Sequence, residues 1–87
     1  MDNKKFLEIA IRTVVNYFNE RVEKTDNVLI GHDNVYVVWS CKTLQNNKAL
    51  LSTTVPDGMY YEVTYNGDMN EIYFDAYKKW DNKVIKF

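Results

Sequence analysis

Val35-Tyr36-Val37-Val38-Trp39-Ser40-Cys41-Lys42 is the stretch on which the fold turns. Val35, Val37, Trp39 and Cys41 alternate with Tyr36, Val38, Ser40 and Lys42, the period of a β-strand. Upstream the period is 3.6. Leu7, Ile11, Val14, Phe18 and Val22 fall on one stripe at 100° per residue, widened by Ala10 and Val15, with Phe6 and Tyr17 on its shoulder. Lys5, Glu8, Arg12, Asn16 and Asn19 oppose the stripe, and Ile9 is its one misfit. Neither Gly nor Pro interrupts the segment, so a helix is predicted over about 3–23, with Asp2 or Asn3 as N-cap. Thr25-Asp26-Asn27 and Gly31-His32-Asp33-Asn34 are turn clusters. Val28-Leu29-Ile30 between them reads as a short extended piece at the core edge.

Downstream the alternation resumes after a polar turn at Gln45-Asn46-Asn47, with Ala49, Leu51 and Thr53 on one side. Val55-Pro56-Asp57-Gly58 is a second turn, because Pro56 presets φ, Asp57 can cap and Gly58 accepts positive φ. Met59, Tyr61, Val63 and Tyr65 alternate next, Asn66-Gly67 opens a reversal, and Ile72, Phe74 and Ala76 follow. Trp80-Asp81-Asn82-Lys83 is expected to turn once more into a short strand over Val84–Phe87.

Connections this short force antiparallel pairing. The expected architecture is α+β: an N-terminal amphipathic helix on one face of a four- to five-stranded antiparallel meander. Residues 1–87 are expected to form one domain, with the sheet over about 35–87. Strand parity then puts Val35, Val37, Trp39, Cys41, Ala49, Leu51, Met59, Tyr61, Val63, Ile72, Phe74 and Ala76 against the helix. On that reading, replacing Trp39 or Phe74 by Ala costs about 3–5 kcal/mol.

The opposite face collects tyrosines. Tyr36, Tyr60, Tyr73 and Tyr77, with Lys79, are the candidate partner-binding residues. A tyrosine has an apolar body and a polar tip, so it suits a contact surface. It equally suits a solvated strand face, which is the plainer reading. Lys78, Lys79, Lys83 and Lys86 read first as guards of an exposed sheet edge.

Composition excludes several classes. Aromatic residues make up 15% of the 87-residue chain, and seven are Tyr, so large rings can build a core without disulfide or metal. The net charge is −1, spread evenly along the chain, which gives no basic stripe for a duplex. No uncharged apolar run reaches signal-peptide or membrane-span length, and the lone Cys41 fits a reducing compartment; cytoplasmic location and no membrane partner are expected. No catalytic, cofactor-binding or metal-ligating set is expected. A Cys41–His32–Asp33 triad would need an exposed thiol, whereas parity points Cys41 inward. No Cys or His pair has ligand spacing, and the three glycines are isolated turn residues, none before a helix.

Four stretches carry a resemblance: Val35-Tyr-Val-Val-Trp-Ser-Cys-Lys-Thr-Leu-Gln-Asn, Lys48-Ala-Leu-Leu-Ser-Thr, Gly58-Met-Tyr-Tyr-Glu-Val-Thr-Tyr-Asn-Gly-Asp and Tyr73-Phe-Asp-Ala-Tyr-Lys-Lys-Trp. With them the chain resembles a family of short uncharacterised proteins encoded by phages and prophages of Gram-positive bacteria. The resemblance spans nearly the whole chain and implies context rather than activity: a small accessory product in the host cytoplasm. The expected function is non-enzymatic binding of a host or phage protein, as modulator or inhibitor. The alternative is a single-stranded nucleic-acid binder that stacks bases on the tyrosine face. Either is compatible with a monomer or a dimer.

Overall fold

The computed structural model describes residues 1–21 and 29–87. Helix α1 (Asn3–Arg21) precedes a 3-10 turn at His32–Asn34 and four strands, β1 (Val35–Thr43), β2 (Asn46–Thr53), β3 (Met59–Asn66) and β4 (Glu71–Lys78). The strands form one antiparallel sheet in the order β1-β2-β3-β4, a meander with the helix on one face. The predicted α+β architecture is therefore present, with four strands. The expected Val22–Glu23 end of the helix, the Thr25-Asp26-Asn27 turn and Val28 lie outside the described residues.

Asp2 caps the helix: its Oδ1 accepts from the Lys5 amide at 2.8 Å and its carbonyl from the Phe6 amide at 3.1 Å. The buried line is Phe6, Ala10, Val14 and Val15, while Leu7, Ile11, Tyr17 and Phe18 pack partly around it. The core-facing line is thus rotated toward Phe6, which the sequence placed on the shoulder. Asn19, expected to face solvent, instead grips the connection. Its Nδ2 donates to the Ile30 carbonyl at 3.0 Å and its Oδ1 accepts from the Ile30 amide at 2.9 Å. Ile30 is thereby pinned in the core, as its predicted place at the core edge requires.

One expectation is overturned in β1. The turn between β1 and β2 is the two-residue Leu44-Gln45, with Leu44 at φ 55°, rather than Gln45-Asn46-Asn47. Asn46 and Asn47 belong to β2, where they pair with Thr43 and Lys42. A two-residue turn at 44–45 in place of a three-residue turn at 45–47 moves each partner of β1 by three residues, and an odd shift in a strand reverses the face. Trp39 therefore pairs with Leu50 and Cys41 with Lys48, on the side away from the helix. A bulge at Val38, between the Val37–Leu51 and Trp39–Leu50 pairs, restores the predicted parity for Val35 and Val37. The consequence is plain: Trp39 is 43% exposed, Cys41 is exposed, and Ser40 takes the inner position beside Ala49.

The core holds Phe6, Ala10, Val14, Val15, Ile30, Val35, Ala49, Leu51, Tyr61 and Val63. Tyr17, Tyr61 and Phe74 form a ring cluster, with Tyr17 4.9 Å from Phe74 and 5.8 Å from Tyr61. The helix covers β1, β2 and β3 and touches β4 through the Tyr17–Phe74 contact of this cluster. Ile72 and Ala76, predicted as core, point to the helix side yet remain exposed among the described residues, where α1 does not cover them. The final turn and strand expected over 80–87 are not formed. Residues 79–87 carry no helix or strand and stand exposed.

Turn chemistry fixes the rest. Asp57 Oδ1 accepts from the Met59 amide at 3.0 Å, and Gly58 sits at φ 74°, as the Val55–Gly58 signature predicts. At the other end of the sheet the β1–β2 and β3–β4 turns lock together. The Gly67 amide donates to Asn46 Oδ1 at 3.0 Å, and Gln45 Nε2 donates to Asp68 Oδ1. A Cβ on residue 67 would stand 2.2 Å from the Gln45 carbonyl oxygen, so only glycine allows this approach.

Two stability measurements check this core. Phe6→Ala is expected to cost about 3–5 kcal/mol in urea unfolding and Trp39→Ala well under half of that, reversing the ranking that unbroken alternation would give. Burial pushes the Tyr61 phenol above its ordinary value, with Asp57 and Tyr17 adding to the rise and Arg21 opposing it. The folded state then holds a proton that the unfolded chain releases near pH 10, so stability is intact below that pH and falls as pH rises beyond it. Tyr61→Phe should flatten that fall in urea titrations between about pH 8 and 11.

Candidate protein-binding face

The sheet face opposite the helix carries no covering element among the described residues. Register arranges it in rows. One row runs Tyr36, Ser52, Tyr60, Tyr77 across all four strands; the next runs Trp39, Leu50, Glu62, Asp75; a third runs Cys41, Lys48, Thr64, Tyr73. At about 4.8 Å between strands the first row spans roughly 14 Å. Three of the four candidate tyrosines thus share one line, and Tyr73 lies two rows away, toward the Gly67 end of the sheet.

Tyr36 and Tyr77 are about half exposed, and Tyr60 is less so. Ser52, between Tyr36 and Tyr60, is buried and satisfied: its Oγ donates to the Met59 carbonyl at 2.8 Å. Leu50, Tyr60, Glu62, Tyr77, Lys78 and Lys79 line an open recess of about 400 Å³. Lys79 follows β4, where its amide donates to the Gly58 carbonyl at 2.7 Å, which holds it beside Tyr77 at the rim. Tyr73 is less available for contact, since its hydroxyl donates to Glu71 Oε2 at 2.7 Å. That bond, then the Glu71 charge, raises the phenol above its ordinary value.

Electrostatically the face is mixed. Glu62 and Asp75 are direct cross-strand partners, a like-charged pair that costs stability unless offset. Lys48 Nζ lies 3.3 Å from Glu62 Oε1 and offsets part of it. With both groups open to solvent, that ion pair contributes between nothing and about 1 kcal/mol.

The chemistry-bearing residues weighed as a nucleophilic set do not converge. Cys41 is exposed rather than buried, but His32 precedes β1 and Cys41 lies about 20 Å further along the strand at ~3.3 Å per residue. The thiol faces a separate shallow hollow with Thr43, Asn46, Lys48 and Thr64. Among the described residues no three His, Cys, Asp or Glu side chains gather as metal ligands. No helix among them is long and apolar enough to cross a membrane.

The comparison with known families matches residues 7–87 to DUF6275, a family of unknown function. The chain belongs to that family. No curated protein and no solved structure matches it. Membership therefore brings no site residues to this face, whose chemistry has to be read from its own side chains.

Sequence reasoning found the tyrosines on this face but missed Trp39 and Cys41. The deciding feature is the hairpin register. A two-residue turn after Thr43 pairs residue 39 with Leu50, which alternates with the core-facing Ala49 and Leu51. In the native protein Cys41 is expected to react with one equivalent of a disulfide reagent at neutral pH without denaturant. A thiol that reacts only in denaturant would put it back in the core.

Proposed function

We propose that this chain is a non-enzymatic protein-binding module whose contact surface is the open sheet face. The observation that carries the reading is the juxtaposition of Trp39 with the Tyr36–Tyr60–Tyr77 row on a face without cover. Trp and Tyr are the residue types that dominate interface energetics, because each desolvates a large apolar body while its polar tip stays satisfied. The recess beside Leu50 and Lys79 supplies the concave part into which a partner side chain fits. Glu62 and Asp75 beside the rings favour a partner that brings a basic residue.

In biological terms we read it as a small accessory protein of a phage or prophage that acts in the host cytoplasm by modulating or inhibiting a host or phage protein. The resemblance in sequence supports this context. Stacking of single-stranded nucleic acid is the competing use of such rings. Two carboxylates in the middle row, with Lys48 engaged by one of them, oppose a phosphate track.

The test compares immobilised wild-type protein with the double variant Tyr36→Asp/Tyr77→Asp, both verified as folded by circular dichroism. A host-lysate protein retained by the wild type and lost with the variant is expected. Retention of the same proteins by both, or of none, overturns the reading. Quenching of Trp39 fluorescence by micromolar oligothymidine at low salt, relieved by added salt, would replace it with the nucleic-acid reading.

A further inference from the structure

Strand β4 is an edge, so one side of its eight-residue backbone has no strand partner among the described residues. Its helix-side face is also incomplete, with Ile72 37% exposed and Ala76 exposed beside Phe74. Immediately after it comes a segment, 79–87, that has the complementary deficiency. Trp80, Val84, Ile85 and Phe87 are each more than 70% exposed and touch no core of their own. An extended apolar stretch next to an unpaired edge is an unstable combination in water, because each needs what the other offers.

We propose that segment 83–87 pairs as a fifth strand on the β4 edge of a second copy of this chain, giving a two-fold strand-exchanged dimer. One observation selects a second copy over the segment's own β4, and two more fit the pairing. The segment does not turn back on its own β4, and the reversal at Trp80-Asp81-Asn82-Lys83 is not formed. At ~3.3 Å per residue, residues 79–87 reach about 30 Å from their own sheet, and the paired residues 83–87 cover about 16 Å of a partner's eight-residue strand. Its charges also complement the strand it would meet. The segment carries Lys79, Lys83 and Lys86 against Asp81, and β4 carries Glu71 and Asp75 against Lys78, so a net positive strand meets a net negative one. In the antiparallel alignment that sets Val84–Phe87 beside Phe74–Tyr77, Lys86 stands opposite Asp75 and Phe87 opposite Phe74, while Lys83 meets Lys78 at the solvent-open end of the pairing. Because each copy holds both halves, the contact is isologous and closes at two. Val84 then borders Tyr77 at the end of the tyrosine row, but the pairing is made by the β4 backbone edge, so its test by Ile85 and Phe87 is separate from the test of the partner-binding reading by Tyr36 and Tyr77.

Light scattering on the intact protein across about 5–500 µM is expected to give twice the 10.3 kDa of one chain, falling to one chain on dilution. Ile85→Lys/Phe87→Lys should keep the circular dichroism spectrum and remain monomeric throughout. In a Cys41→Ser background, Asp75→Cys/Lys86→Cys should oxidise to a disulfide between two chains. A wild type that stays monomeric at the highest concentration overturns the proposal. So does a disulfide formed within one chain, which would mean a closed hairpin, or a dimer that survives the double lysine variant.

Discussion

The register between β1 and β2 is the constraint on which everything else in this sheet depends. It is set by a two-residue turn at Leu44-Gln45, held from the far side by Gly67, whose missing side chain lets the neighbouring turn approach the Gln45 backbone. Given that turn, unbroken pairing would carry Val35 and Val37 out of the core and turn Tyr36 and Val38 toward the helix in their place. The bulge at Val38 resolves the conflict. The half of β1 before it serves the core, and the half beyond it serves the outer face.

That division explains how much could be read from residues alone. The helix, its Asp2 cap, the Val55–Gly58 and Asn66-Gly67 reversals and the faces of β2 and β3 all follow from local chemistry, and all are present. The orientation of Trp39 and Cys41 was not legible by alternation, because neither a tight turn centred on a leucine at φ 55° nor a bulge at a valine has a compositional marker. Both residue types are unremarkable in a regular strand. The place of Phe6 at the centre of the helix interface was obscured for a related reason. A 3.6-residue period defines a wide apolar arc, and its buried midline is chosen by the sheet, here by the ring cluster of Tyr17, Tyr61 and Phe74.

The unequal cover of the two sheet edges follows from the same geometry. One helix of 19 residues lies over three strands and touches the fourth through the Tyr17–Phe74 contact. Hydrophobic burial is therefore concentrated on the β1–β3 side, while β4 keeps its place chiefly through its ladder with β3 and the turn at Asn66. The candidate face inherits this asymmetry. Tyr36, Trp39 and Tyr60 stand on strands backed by the core, whereas Tyr77 stands on the strand with least behind it. A rigid aromatic platform thus borders a more yielding one, an arrangement suited to adapting one side of a contact while the other fixes its position.

The grip of Asn19 on both backbone groups of Ile30 separates two jobs that a helix-to-strand connection usually does together. One of them, fixing helix and sheet relative to each other, is done by a side chain of α1 and the backbone of Ile30. A residue at position 19 that cannot both donate and accept, such as alanine or aspartate, would leave the two apolar faces intact and release their alignment.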